Sequence, residues 1–106
     1  MADAESLMGR MRTRADALRS LGYRVRFDLT DTEESILLDA TGGGAPSVAA
    51  ASADDEADTV LRLSSGDAEK LMAGKLSPML AFSTGRLRVE GSKGVAMKLA
   101  SLLDEN

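Results

Sequence analysis

Histidine, cysteine and tryptophan are absent from this 106-residue chain; tyrosine occurs once and phenylalanine twice. Without thiols there are no disulfides, no thiolate nucleophiles and no soft-metal sites, and without imidazole every His-based catalytic arrangement is excluded. An enzyme built from this chain would have to work with carboxylates, lysine or arginine. No apolar run reaches the ~20 residues that span a bilayer. The amino terminus, Met1-Ala-Asp-Ala-Glu, is acidic where a secretory leader would be basic and then apolar. A cytoplasmic location is the expectation. The net charge of −4 argues against nucleic acid as a partner, because that task needs clustered cations to displace counterions from phosphates.

What remains is 43% hydrophobic and 28% charged, with six methionines. That is apolar material for one core, filled by slim aliphatic and flexible side chains.

Over residues 3–21, Leu7, Met8, Met11, Ala15 and Leu18 recur at helical spacing, and Gly22 supplies the stop. The period then changes to two. Tyr23, Val25, Phe27 and Leu29 predict a half-buried strand, and Ile36, Leu38 and Ala40 a second after the polar turn 31–34. Gly42 to Pro46 is a loop by composition, residues 47–53 form a weak third strand, and Thr59 to Leu63 a fourth with Leu61 and Leu63 inward. Ser64 with Asp67 starts a short helix ending at Gly74. Ser77-Pro78 starts another, with Met79, Leu80 and Phe82 as its buried residues and Gly85 as its stop. A strand over Arg86 to Glu90 and a final helix bearing Val95, Ala96, Leu99, Leu102 and Leu103 complete the chain. The order predicts an α+β fold, a largely antiparallel five-stranded sheet covered by helices on one face.

Catalytic and metal motifs fail on spacing. Gly66 to Lys75 has too long a glycine interval for a phosphate loop, and Leu76 replaces the magnesium-holding hydroxyl. The Gly42-Gly43-Gly44 run follows a strand without opening a helix, so it is a turn. The acidic turn Asp54 to Asp58 has Thr59 and Ser65 where a calcium loop needs glycine and glutamate. No Ser-x-x-Lys or Gly-x-Ser-x-Gly occurs. No catalytic residue, cofactor or metal site is expected.

Charge is unevenly spread. Residues 9–26 hold Arg10, Arg12, Arg14, Arg19, Arg24 and Arg26 against Asp16 alone. A basic amphipathic first helix on an acidic body is suited to transient docking on an anionic membrane or an acidic partner. The alternative is a helix face paired with the protein's own carboxylates.

Four segments together resemble the sterol carrier protein type 2 lipid-binding domain. They are Asp58-Thr-Val-Leu-Arg-Leu-Ser, Leu71-Met-Ala-Gly-Lys-Leu-Ser-Pro-Met-Leu-Ala-Phe82, Gly85-Arg-Leu-Arg-Val-Glu-Gly91 and Ala96-Met-Lys-Leu99. The resemblance is dense over residues 58–103, while residues 7–53 agree only in pattern. Ser92 departs from the acidic residue many members carry, and the ending Asp104-Glu105-Asn106 carries no peroxisomal address. The resemblance implies that residues 1–106 form one non-enzymatic domain enclosing an apolar cavity. Its ligand would be a fatty acyl chain, acyl-coenzyme A, a phospholipid or a sterol.

On that implication the expected pocket wall is Met79, Phe82, Leu87, Val89, Met97 and Leu102, with Arg24 or Lys75 as the cation for an anionic headgroup. The competing reading is an interaction module: the apolar groove receives a partner helix or a second copy, with exposed residues on helix 78–84 suited to a homodimer, and it serves as accessory to a separate enzyme.

Overall fold

The computed structural model describes residues 4–42, 44 and 46–104. Gly43 and Ala45 of the expected glycine-rich loop, and the termini Met1, Ala2, Asp3, Glu105 and Asn106, lie outside the described residues. The elements are α1 (Ala4–Thr13), a 3-10 turn (Ala15–Leu18), β1 (Arg24–Leu29), β2 (Ser35–Asp39), β3 (Ser47–Ala51), β4 (Thr59–Leu63), α2 (Ser65–Met72), α3 (Pro78–Ser83), β5 (Arg88–Gly91) and α4 (Lys93–Asp104). Among the described residues no helix is long and apolar enough to cross a membrane.

The sheet order is β3-β2-β1-β4-β5. Three of its pairings are antiparallel, as expected, and the central one, β1 with β4, is parallel. Alternation along each strand sorts the residues onto two faces. One inward row runs Ile36, Phe27, Leu61, Val89 across four strands; its first two members, Ile36 and Phe27, are fully buried. The opposite face is a polar ladder. There the Arg26 guanidinium grips Asp28 with two nitrogens at 2.9 and 3.0 Å and donates to the Asp55 carbonyl at 2.8 Å. Arg62 pairs with Glu90 at 2.6 Å.

The expected continuous first helix is interrupted. Its apolar face persists, with Leu7, Met11, Ala15 and Leu18 all buried, but the α-helix ends at Thr13. Thr13 donates its hydroxyl to the Gly9 carbonyl, a back-bond that bends helices. Arg14 adopts φ −95°, ψ 5° and donates to the Met72 and Leu103 carbonyls, both at 2.9 Å. One guanidinium thereby satisfies orphan carbonyls at the carboxyl ends of α2 and α4, where a cation is favoured.

The expected strand over residues 86–90 begins two residues later. The Arg86 and Leu87 amides both donate to the Ala81 carbonyl, so they close the turn after α3 and are not free for the ladder. At the helix starts, Ser64 and Ser92 side chains accept from the Asp67 and Val95 amides.

Asp31, in the β1–β2 turn, anchors the start of α2. Its carboxylate accepts from the Ser65 amide at 2.9 Å and the Ser65 hydroxyl at 2.7 Å. The hydroxyl bond first and the amide bond second hold the carboxyl below its ordinary value of 3.8. Asp39, held by Thr41 and then by Arg24, is lowered in the same direction. A lowered carboxyl stabilises the fold fully above its unfolded value, and that stabilisation is lost as pH falls through the folded one. Urea midpoints are therefore expected to drop on acidification below about pH 4. Asp31→Asn is expected to be less stable than the parent at neutral pH and to converge on it at the acid end. A gap that is constant with pH would contradict the assignment.

Candidate functional site

The three short helical pieces between β4 and the carboxyl terminus leave a gap over the β4–β5 edge of the sheet, and the gap is apolar. Its floor is Phe27, Leu61, Leu87 and Val89; one wall is Pro78, Met79 and Phe82 of α3, with Leu71 at one end; the other wall is α4. The cleft has a volume of about 130 Å³. It opens to solvent along its rim, where Phe82 is 47% exposed, Met79 54% and Met97 61%.

The α4 wall follows from helical geometry. Residues advance about 100° each, so positions three, four and seven apart share a face. Lys93, Ala96, Met97, Ala100 and Leu103 form such a stripe, with Leu99 beside it. The stripe runs ~15 Å at ~1.5 Å per residue. Alanines in its middle keep the cleft open where larger side chains would fill it.

Of the expected wall residues, Met79, Phe82, Leu87, Val89 and Met97 line this cleft. Leu102 does not. One position before Leu103 on the helix, it is rotated about 100° away, onto the side shared with Val95, and packs half-buried against the core. The expectation that Met79, Leu80 and Phe82 are buried is also corrected. In a helix of six residues only one stripe can pack; Pro78 and Ala81 occupy it, while Met79, Leu80 and Phe82 stand 47–55% exposed.

The cation at the cleft is Lys93, the one charged side chain among the lining residues. Arg24 lies on the opposite face of the sheet, paired with Asp39 at 3.2 Å. Lys75 lines a neighbouring polar depression that shares Leu71, Pro78 and Leu103 with the cleft. Lys93 carries a signal that sequence could have offered, since it heads the stripe 93, 96/97, 100, 103. The floor residues Phe27 and Leu61 needed the long-range β1–β4 pairing.

The arginines of the basic segment are engaged within the molecule. Arg10 pairs with Glu69 at 3.0 Å and Arg19 with Asp16 at 2.8 Å. Arg12 donates to the Val48 carbonyl at 3.0 Å, Arg14 bridges two helix ends, and Arg24 and Arg26 serve the polar face of the sheet. In this segment Arg10, Arg19, Arg24 and Arg26 meet carboxylates, while Arg12 and Arg14 donate to backbone carbonyls and enter no ion pair among the described residues.

Among the described residues, no cluster of three or more metal-ligating side chains exists, and the cleft lining holds no carboxylate or hydroxyl. Such a space suits burial of hydrocarbon, with one cation, Lys93, among its lining residues.

Comparison with known proteins gives the same architecture. The family model described as "SCP-2 sterol transfer family" matches residues 4–104. Hydroxysteroid dehydrogenase-like protein 2 of Xenopus laevis is 42% identical over 50 residues, covering 47% of this chain and 12% of that protein. Sterol carrier protein 2 of Rattus norvegicus is 43% identical over 49 residues, covering 46% of this chain and 9% of that protein. The chain therefore corresponds to a small part of these relatives. The solution structure of palmitated SCP2L2 from Aedes aegypti superposes with a TM-score of 0.76 at 18% identity, covering 100% of this chain and 97% of that one.

Proposed function

Because the chain belongs to the SCP-2 sterol transfer family, we propose that it is a non-catalytic lipid carrier that holds a single acyl chain in the cleft between α3 and α4. The observation that carries this reading is the cleft itself: an apolar trough headed by one lysine, with a hydrocarbon-lined path beyond it. The chain lies along the Ala96–Ala100 stripe, and Lys93 meets the carboxylate or phosphate at the mouth. Met79 and Met97, long and unbranched, adapt to the chain's contour. The palmitated state named for the Aedes aegypti relative supports a linear acyl chain over a fused-ring sterol.

Affinity is then expected to grow with chain length. Each methylene buried contributes about 0.8 kcal/mol, or roughly fourfold in affinity, until the trough is full. Saturated fatty acids of increasing length should raise the melting temperature stepwise and then level off, at fixed protein concentration. A melting temperature that ignores fatty acid, or one that rises with protein concentration alone, would contradict the carrier reading and point to self-association.

A further inference from the structure

We propose that the rim of the cleft, formed by α3 and the first half of α4, is the face with which the protein docks on an anionic lipid bilayer. This extends the carrier reading and shares with it the cleft and the lining residues Met79, Phe82, Met97 and Lys93; Leu80, Lys75 and Arg86 belong to the docking face alone. Five large apolar side chains stand exposed among the described residues, and four of them, Met79, Leu80, Phe82 and Met97, lie on this rim. The fifth, Tyr23, sits under the Lys98 ammonium, 5.5 Å from the ring centre. Leu80 is 55% exposed and does not line the cleft, so the cleft's ligand cannot account for it.

From Leu71 to Val89 the charge along the chain is of one sign. No Asp or Glu occurs between Leu71 and Val89, whereas Lys75 precedes α3, Arg86 follows it and Lys93 opens α4. Glu90, the next carboxylate, is turned to the opposite sheet face and paired with Arg62. Among the described residues Lys75, Arg86 and Lys93 enter no ion pair, in contrast to Arg10, Arg19, Arg24 and Arg26. A protein of net charge −4 thus presents unneutralised cations around its exposed apolar side chains. That combination fits the headgroup boundary of an anionic bilayer, where apolar side chains insert and each cation strengthens adsorption about fivefold. A second copy fits poorly, since a two-fold contact on this face would oppose like charges. Docked mouth down, the cleft would receive an acyl chain directly from the leaflet.

The test is co-sedimentation with vesicles of phosphatidylglycerol or of phosphatidylcholine, beside dodecanoate binding in vesicle-free solution. The parent is expected to partition onto the anionic vesicles and not the zwitterionic ones. Leu80→Asp and Lys93→Glu should each lower partitioning at least fivefold, while Arg88→Glu, an equal charge change on the opposite sheet face, should lower it less than twofold. Leu80→Asp should still bind dodecanoate as the parent does, which shows that its fold and cleft are intact. Equal binding to both vesicle types, no binding to either, or an equal loss in Arg88→Glu and Lys93→Glu would overturn the docking face, as would concentration-dependent dimers that the Leu80→Asp change disperses. Dodecanoate binding without vesicle binding removes the docking face and leaves the carrier; vesicle binding with the stated variant pattern but no dodecanoate uptake does the reverse.

Discussion

Gly91→Ala is expected to destabilise the protein by about 3 kcal/mol, combining ~1–2 for a left-handed L-residue with ~1–3 for overpacking. Gly91 has φ +86°, and a Cβ there would stand 2.9 Å from the Asp58 carbonyl oxygen and 3.3 Å from the Thr59 Cα. Neither obstacle is the free end of a side chain. The Asp58 carbonyl also accepts from the Ser92 amide at 3.0 Å, and Gly91 pairs with Thr59 in the ladder. Relief of the clash would therefore separate β5 from β4 and shift the start of α4, which together frame the cleft. A melting temperature lower by roughly 15 °C is expected for a domain of this size. A change of less than about 0.5 kcal/mol in the urea-derived stability, the range of an ordinary surface substitution, would contradict this geometry.

Ala100→Phe is expected to weaken ligand binding about a hundredfold while leaving the fold intact. Ala100 is at the middle of the α4 stripe, facing across the cleft to α3, and a ring at this position occupies the trough. Denying the chain three or four methylenes' worth of burial at about 0.8 kcal/mol each corresponds to roughly a hundredfold loss of affinity. Stability should hold or rise slightly, because the ring covers apolar surface that is otherwise wet. Calorimetric titration of dodecanoate into the two proteins decides it. Unchanged affinity in a folded Ala100→Phe protein would place the ligand elsewhere.

The two substitutions differ in how far sequence alone could foresee them. Gly91 closes a motif visible in the chain, yet its cause, the Asp58 carbonyl, lies 33 positions earlier and is brought there by the sheet (91 − 58). Element order was legible because the periodicity switches cleanly from helical to alternating at Gly22 and back at Ser64. The break in the first helix was not, because beside the local Thr13 bond to the Gly9 carbonyl it coincides with Arg14 reaching carbonyls of α2 and α4, and no local pattern records those partners. The orientation of α3 was illegible for a similar reason: with six residues, which side packs is decided by what lies beneath it. Leu102 and Leu103 were equivalent as apolar residues in the final helix, and only the position of α4 over β4 and β5 separates them. The first-helix arginines stood out as a basic cluster, but their partners, Glu69 and the Val48, Met72 and Leu103 carbonyls, lie far along the chain; the less conspicuous Lys75, Arg86 and Lys93 enter no ion pair among the described residues.

The most direct test of the carrier reading follows the methionine methyl groups by NMR during titration with dodecanoate. Met79 and Met97 line the cleft, whereas Met8, Met11 and Met72 do not. A chain held between α3 and α4 shifts the first pair saturably and leaves Met8 and Met11 in place. Shifts confined to Met8 and Met11, or no shift at Met79 and Met97 at saturating ligand, would contradict the assignment of this cleft as the lipid site.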